Sequence, residues 1–427
     1  MIFATQKTAT YFGQKKYCYM DKIKMLVIPS DLQGGIGKYR TLDPHKYIAE
    51  HYGDEFDIDI VKSMPHEDLE TYLKQYDLVQ FHKQIDRDGK IVEMLNFLGI
   101  PCIMDIDDYF FLGNDHPMSL SAKKEMWHLP IIDHLKKANY VTTTTSIYAN
   151  VLKKYNPNVK VLPNAVDGSE KQFSIPKEKG DGRLRVGIIC GSTHLKDLEL
   201  MKGVTQLVDL NKVQFVLCGF DTRGTKRIYN KDTNTTEVRD IKPEESVWVD
   251  FEKIFTNNYK TISEEHKKFL MEFNAYVDDP FTNEPYRRMW TRDITNYASH
   301  YANVDVLVAP LKENDFNKMK SELKEIECGF THTAFIGQNF GAYTINLVPM
   351  IEKGGKINEN GNALLVDTAK NHKQWAKYIN KLADDREMLK KLQDNLADFV
   401  KANYSLEKIC KERADFYKKV VQESKGN

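Results

Sequence analysis

The segment that follows Pro310 carries charged side chains at a spacing suited to binding an anion. The pattern predicts a helix here, with Asn317 or Ser321 near its start. One face of that helix would carry charged residues at positions i, i+4 and i+7, namely Lys320, Lys324 and Glu327. Two cations beside a helix amino terminus can hold a diphosphate, and a carboxylate one turn further can accept hydrogen bonds from a ribose diol. A solvated Lys/Glu face is the alternative, but the position after a strand that ends in proline favours a binding site.

Two turns between a strand and a helix could bring backbone N–H groups close to a ligand. Gly34, Gly35 and Gly37 follow the first predicted strand, and residues without a Cβ atom allow a tight turn near an anion. The spacing is not the GxGxxG of dinucleotide-binding proteins, so no such cofactor is predicted. His194 and Lys196 follow the first strand of the second half and could meet a phosphate across a cleft. A plain structural turn with Ser/Thr capping explains either segment as well.

Acidic and histidine side chains follow two other predicted strands. Asp105, Asp107 and Asp108 lie at the carboxyl end of one strand, where open α/β sheets bind ligands. Ionised carboxylates could orient sugar hydroxyls or a divalent cation, although helix capping and turn formation are the simpler alternative. No metal site is predicted, because no further ligand accompanies the cluster. His82 and His116 lie at loop ends on the same side and are candidates for catalysis.

The elements that must position these residues are short apolar strands alternating with helices. This alternation is typical of βαβ units around a parallel sheet, and it occurs twice, which predicts two Rossmann-like halves facing a cleft. The predicted strands are 25–29, 56–61, 78–81, 101–105, 140–143 and 159–162, then 185–190, 214–218, 304–309, 333–336 and 363–366.

The boundaries follow from changes in composition along the chain. A polar stretch without apolar periodicity marks a linker, and a second polar, turn-prone stretch interrupts the later half. The predicted division is an extension at 1–24, a first domain at 25–167, a linker at 168–182, a second domain at 183–395 with an insertion at about 221–285, and a carboxyl-terminal helix at 396–427.

Composition excludes several classes of protein. The 427 residues contain 61 basic and 61 acidic side chains, so the chain lacks the positive field that nucleic-acid binding usually needs. The six cysteines are widely spaced, without the pairs of a zinc site, and indicate a reducing cytoplasm. No apolar stretch reaches the roughly 20 residues of a membrane helix, and residues 1–24 lack a signal-peptide core.

Taken in order, several motifs resemble the retaining nucleotide-sugar glycosyltransferases of family 4. The resemblance runs from about Met25 to the carboxyl end. The motifs are Gly34-Gly35-Ile36-Gly37, Asp105-Ile106-Asp107-Asp108, VTTTTS at 141–146, VLPNAVD at 161–167, Ala309-Pro310-Leu311, FNKMKSELKEIE at 316–327 and GNALLV at 361–366. The family usually carries Glu-x7-Glu; Glu327 matches the second acid, whereas the first position is Met319 here.

The resemblance implies a GT-B fold, an α/β architecture, and metal-independent transfer with retention at the anomeric carbon. Its donor is a nucleoside diphosphate sugar, so no separate cofactor is expected. The residues predicted to bind the donor are Gly35, Gly37, Lys196, Lys320, Ser321, Lys324 and Glu327. The residues predicted to act in catalysis are His82, His116, Asp107 and Asp108.

The predicted function is transfer of a sugar to a glycan or lipid-linked acceptor in bacterial surface polysaccharide biosynthesis. The expected location is the cytoplasm or the inner face of the membrane, with peripheral membrane contact left open. Two alternatives remain: an epimerase of nucleotide sugars on the same scaffold, and a catalytically silent protein that binds sugar nucleotides or glycans.

Overall fold

A computed structural model describes residues 22–65, 67–230, 232–272, 283–367 and 372–426. The first half of the chain forms a six-stranded parallel sheet in the order β2-β1-β3-β4-β5-β6. Its strands are β1 Ile23–Ile28, β2 Phe56–Ile60, β3 Leu78–His82, β4 Cys102–Ile106, β5 Tyr140–Thr143 and β6 Val159–Val161. All five side chains of β3 and of β4 are buried, as expected for central strands covered on both faces.

The second half forms another six-stranded parallel sheet, in the order β11-β8-β7-β12-β13-β14. Its strands are β7 Leu184–Ile189, β8 Val213–Phe220, β11 Tyr286–Trp290, β12 Val306–Ala309, β13 Ala334–Gln338 and β14 Leu364–Val366. A separate antiparallel hairpin consists of β9 Thr225–Asn230 and β10 Thr235–Asp240. The predicted α/β architecture of two Rossmann-like halves is confirmed.

Helices cover both sheets. In the first half they are α1 Asp43–His51, α2 Leu69–Leu73, α3 Lys90–Phe97, α4 Ser119–Lys124, α5 His128–Lys137 and α6 Ser146–Leu152. In the second half they are α7 Leu195–Leu198, α8 Val247–Phe255, α9 Glu264–Glu272, α10 Asp315–Lys318, α11 Leu323–Phe330, α12 His372–Asp384, α13 Arg386–Tyr404 and α14 Leu406–Lys425. Within the described ranges, no helix is both long and apolar enough to cross a bilayer.

The last helix, α14, returns to the first half of the molecule. It packs on α1, where the Tyr417 hydroxyl lies 3.1 Å from His45 Nε2. Arg413 donates a hydrogen bond of 2.9 Å to the carbonyl oxygen of Pro163. The predicted start of this helix at 396 falls inside α13; the chain instead breaks at Ser405, whose side chain accepts a hydrogen bond from the backbone N–H of Lys408.

The insertion predicted at about 221–285 contains elements that its polar composition concealed. Its first part is the β9–β10 hairpin, and β11 begins at its carboxyl end as the edge strand beside β8. The sequence of β11, Tyr-Arg-Arg-Met-Trp, does not read as a strand because two arginines interrupt the apolar run. Arg288 is nevertheless buried, and it forms an ion pair with the buried Glu252 of α8. Tertiary pairing therefore overrides the local polar signal.

A buried ion pair in the first half joins strand β4 to the segment that follows the glycine turn. Asp105 and Arg40 are both 0% exposed, and Arg40 donates from Nε and Nη2 to the two carboxylate oxygens at 3.0 and 2.5 Å. Thr142 donates to the same carboxylate at 2.6 Å, and Arg40 also reaches the carbonyl oxygen of Leu162. Burial alone would raise the pKa of Asp105, but the adjacent guanidinium outweighs it and lowers that pKa.

We expect Asp105→Asn to destabilise the protein by about 3–5 kcal/mol, because it leaves the Arg40 charge buried without its counter-ion. Urea denaturation followed by circular dichroism measures this loss. Asp57→Asn, at an exposed position of β2, is the matched control and should change stability by less than about 0.5 kcal/mol. Equal stability of the Asp105 variant and the wild type would contradict a structural role for the pair.

Candidate functional site

A cleft of about 610 Å³ lies where loops of the two sheets face each other. Its volume is in the range of small-molecule sites. The first half contributes Gly35, Asp108 and His116, and the second half contributes the segments after β7, β11 and β12. Six of the seven predicted donor-binding residues line this cavity: Gly35, Lys196, Lys320, Ser321, Lys324 and Glu327. The seventh, Gly37, is not among the lining residues.

The predicted helix after Pro310 is broken into two. The short α10 ends at Lys318, and α11 begins only at Leu323, so Lys320 and Ser321 lie in the connection rather than on the helix. The prediction that Lys320 shares one helical face with the later residues is therefore wrong. Asn314 caps the start of α10 by accepting a hydrogen bond from the backbone of Asn317. The helix ends before Met319, whose backbone leaves helical geometry with φ −92° and ψ 0°.

Two ammonium groups face the cavity from this connection and from α11. Within the described part of the chain, neither Lys320 nor Lys324 has a carboxylate within the 4.0 Å of an ion pair. Lys324 donates to the carbonyl oxygen of Ile189 at the end of β7. Burial lowers the pKa of Lys320, with the charge of Lys324 acting in the same direction, although Asp197 opposes the shift. Such a pair is stabilised by an anion placed between or beside the two ammonium groups.

His194 lies next to Lys320 and is neutral. Burial, followed by the Lys320 charge, lowers the pKa of His194 to about 4. Its Nδ1 lies 2.9 Å from Asp197 Oδ2, so Nδ1 carries the proton and donates to that carboxylate. Nε2 is then free to accept from Lys320 Nζ, 3.5 Å away. The imidazole positions the lysine without adding positive charge, whereas Lys196 points to the rim and pairs with Glu199 at 2.8 Å.

Glu327 is held by two tyrosines. Tyr297 donates to Oε1 and Tyr301 donates to Oε2, the latter at 2.8 Å. Both tyrosines come from a short 3-10 helix, Tyr297–Asn303, that precedes β12. Burial raises the pKa of Glu327, while Lys324 and the two hydroxyls oppose that rise. Sequence reasoning missed the tyrosines; their spacing of four residues directly before a buried strand was the available signal.

The opposite face of α11 is buried rather than solvated. Glu325 is 0% exposed and Glu322 is 3% exposed, and buried carboxylate oxygens of both lack a hydrogen-bond partner. Burial raises the pKa of Glu322 to about 7 and that of Glu325 well above its ordinary value. The alternative of a solvated Lys/Glu face is therefore wrong for this helix: its charged residues lie either in the cavity or in the core.

The glycine turn of the first half approaches the second half closely. A Cβ atom on Gly35 would lie 3.4 Å from Ile294 Cδ1, across the cleft. A Cβ atom on Gly37 would lie only 1.8 Å from the carbonyl oxygen of Asp31, so the backbone can fold back there only without a side chain. Gly37 is buried and closes the turn, whereas Gly35 itself lines the cavity.

The acidic cluster is divided between three environments. Asp105 points into the core, as described above. Asp107 accepts a hydrogen bond from His82 Nε2 at 3.0 Å and lies 3.3 Å from Lys83 Nζ. Burial alone would raise the pKa of Asp107, but the Lys83 ammonium and the His82 hydrogen bond outweigh it and lower that pKa. Asp108 lines the cavity, and burial together with the Asp107 charge raises its pKa. His82 is 1% exposed, and neither it nor Asp107 is among the residues that line the cavity. Of the four predicted catalytic residues, Asp108 and His116 line it.

Contacts across the cleft hold the two halves together at its outer edge. Lys312 forms an ion pair with Asp115 at 2.5 Å, and the ring of His116 packs edge-on against Phe316 with 5.1 Å between centroids. Met319 is 5% exposed and belongs to the hydrophobic core of the first half. Met319, which stands where the resembled Glu-x7-Glu motif has its first acid, thus packs across the boundary between the two halves.

No group of three or more His, Cys, Asp or Glu side chains suited to holding a metal ion occurs among the described residues. Arg40 pairs with Asp105, and Lys83 lies within ion-pair distance of both Asp107 and Asp108. The cationic side chains that line the cavity include Lys320, Lys324 and Arg292.

The fold is that of the GT-B glycosyltransferases. HepE from Anabaena, in complex with UDP and glucose, matches with a TM-score of 0.58 and 10% identity over 93% of this chain and 99% of that one. A glycosyltransferase from Rickettsia africae matches at 0.58 and 13% identity over 94% and 99%. The catalytic domain of starch synthase IV from Arabidopsis thaliana, bound to ADP and acarbose, matches at 0.55 and 11% over 95% and 99%.

These identities are so low that the likenesses establish the fold alone. No family model matches the chain, and no curated protein matches it. The substrate and the reaction must therefore be argued from the cavity itself.

Proposed function

We propose that the protein transfers a sugar from a nucleoside diphosphate sugar to a glycan or lipid-linked acceptor. The observation that carries this proposal is that Lys320, Lys324 and the buried Glu327 line one interdomain cavity, with no carboxylate within ion-pair distance of either lysine in the described chain. Two cations and an acid at one cavity suit a diphosphate joined to a ribose. The GT-B fold, whose solved members include complexes with UDP and with ADP, supports it.

The chemistry follows from where charge develops. Cleavage of the bond between the sugar and the diphosphate leaves negative charge on the phosphate oxygens, and ammonium groups fixed beside them stabilise the transition state. Lys320 and Lys324 are proposed for this role, with Glu327 accepting hydrogen bonds from the ribose hydroxyls. Ser321 and Gly35 line the same cavity and are proposed to contact the donor through short side-chain or backbone groups.

The first half of the molecule is proposed to face the sugar and the acceptor. Asp108 and His116 are residues of the first half that line the cavity. Met319 is packed in the core, so a carboxylate near the sugar has to come from elsewhere, and Asp108 is the candidate. His82 and Asp107 support it from behind, because His82 bridges Ser30 at 2.6 Å and Asp107 at 3.0 Å.

We further propose retention at the anomeric carbon, independence of metal ions, and a role in bacterial surface polysaccharide biosynthesis at the inner face of the membrane. Support comes from the motif resemblance and, for the metal, from the lysine pair that meets the phosphate charge. A catalytically silent nucleotide-sugar-binding protein is the second candidate, favoured by the burial of Met319 where the family has its first acid.

Incubation with UDP-sugars and ADP-sugars, first without and then with glycan acceptors, tests the proposal. Slow donor hydrolysis that gives way to transfer when an acceptor is added is the expected result. Conversion of the donor to an epimer would support an epimerase. Binding without turnover across the panel would support the silent protein, and absence of any nucleotide binding would remove all three.

A further inference from the structure

A chain of hydrogen-bonded tyrosine hydroxyls runs from the first half of the molecule to Glu327 in the second half. Tyr39, which follows the glycine turn of the first half, places its hydroxyl 2.7 Å from that of Tyr297 in the second half. Tyr297 in turn donates to Glu327 Oε1, and Tyr301 donates to the other carboxylate oxygen. Tyr39 and Tyr301 are each 1% exposed and Glu327 is 3% exposed, so water does not compete strongly for these bonds.

The direction of the chain follows from counting protons. A tyrosine hydroxyl has one proton to donate. Because Tyr297 gives its proton to Glu327, its oxygen can only accept from Tyr39. Donation by Tyr39 polarises the Tyr297 hydroxyl and strengthens its bond to the carboxylate. A residue of the first half therefore acts on the acid of the second half through one intermediate side chain.

Several groups act on the charge state of this carboxylate. Burial raises the pKa of Glu327, whereas Lys324 on the same helix and the hydroxyls of Tyr297 and Tyr301 act against that rise. Burial also raises the pKa of Tyr39, and the negative charge of Glu327 adds to it, so the phenol remains a donor. Tyr343 likewise has a raised pKa, from burial first and from nearby acids including Glu327.

We propose that Tyr297 is a positioning residue for Glu327, and that Tyr39 couples it to the first half so that nucleotide binding depends on contact between the halves. This inference rests on the proposed function, in which Glu327 accepts hydrogen bonds from a ribose diol. Each carboxylate oxygen accepts from one tyrosine and keeps further acceptor capacity, and Glu327 lines the cavity. Removal of the Tyr297 hydroxyl leaves one oxygen without its donor.

The experiment measures UDP affinity by calorimetry between about pH 5 and about pH 9 for the wild type and Tyr297→Phe. Binding is lost at acid pH as Glu327 takes up a proton and can no longer accept from both ribose hydroxyls. Because Tyr297 lowers the pKa of Glu327, the variant should lose binding at a pH about one unit higher than the wild type. Tyr39→Phe should move the midpoint in the same direction by a smaller amount.

Tyr76→Phe is the matched control. It removes a hydroxyl that donates to Asp59 at 2.9 Å in the first half, so it tests loss of a tyrosine–carboxylate bond outside the cleft. Its acid midpoint should equal that of the wild type. An unmoved midpoint in folded Tyr297→Phe overturns the inference, and an unmoved midpoint in Tyr39→Phe overturns the coupling between halves. If Tyr297→Phe does not fold, Tyr39→Phe alone decides, since it alters the same chain from the opposite half.

A second ligand separates this inference from the proposed function. The wild type should bind 2′,3′-dideoxy-UDP at least about tenfold more weakly than UDP, because the carboxylate then has no diol to bind. Tyr297→Phe should show a smaller ratio. Equal affinity of the wild type for both ligands contradicts the ribose role of Glu327 and therefore this inference, whereas absence of binding to either ligand contradicts the proposed function. A clear wild-type ratio that Tyr297→Phe leaves unchanged contradicts only the positioning role.

Discussion

Glu327→Gln is expected to lower kcat/KM for the donor sugar by about 10²–10³-fold, corresponding to roughly 3–4 kcal/mol. The change replaces a carboxylate that can accept from two ribose hydroxyls with an amide of the same shape. It also places an NH₂ group against Tyr297 or Tyr301, both of which donate to this side chain. Initial rates of transfer or of donor hydrolysis at several donor concentrations measure the effect.

Glu325→Gln is the matched control for this prediction. It lies two residues away on the same helix, is fully buried on the other face, and burial raises the pKa of its carboxyl well above its ordinary value. An amide of the same shape replaces the carboxyl group there without reaching the cavity. Equal activity losses for the two variants would show that Glu327 acts through helix stability rather than through the donor.

Lys320→Met and Lys324→Met are each expected to weaken UDP binding by about 10–100-fold, and the double variant should lose binding that calorimetry can detect. Methionine keeps most of the apolar stem, so the change removes charge more than packing. The two ammonium groups meet at one cavity, and each donates to a different partner, His194 Nε2 and the carbonyl oxygen of Ile189.

The salt dependence of binding provides an internal check on the lysine variants. Affinity of the wild type should fall as ionic strength rises, and the dependence should be weaker in each single variant. Lys318→Met, at the exposed end of α10, is the control and should bind UDP like the wild type. Retention of full affinity by the double variant would show that the diphosphate is held elsewhere.

Much of the fold could be predicted because buried parallel strands are continuous apolar runs. β5 was predicted with its observed ends, and the other ten predicted strands overlap observed ones. Strand β11 was missed because Arg287 and Arg288 interrupt its apolar sequence, and its pairing with β8 depends on residues far away in the chain. The β9–β10 hairpin was missed for a related reason: its strands are polar, and Thr235–Asp240 is largely exposed.

The candidate site could be predicted in part. Several residues that follow strands, among them Asp108 and Lys196, line one cavity, because the carboxyl ends of parallel strands meet at one edge of a sheet. Periodicity could not show that α10 and α11 are separate helices, because the chain leaves helical geometry at Met319, a residue that packs in the core of the first half. Asp105 lies in the core whereas Asp108 lines the cavity, and this difference depends on Arg40, a partner of Asp105 that is far away in the sequence. Tyr39 and Tyr297 meet only through the arrangement of the two halves, which no local pattern encodes.

A crystal structure of the wild-type protein with UDP tests most directly whether the two lysines and Glu327 bind the nucleotide. We expect phosphate oxygens about 2.7–3.2 Å from the Nζ atoms of Lys320 and Lys324, with both ribose hydroxyls donating to Glu327. UDP bound outside the cleft would contradict it. So would UDP inside the cleft with its diphosphate turned away from both lysines.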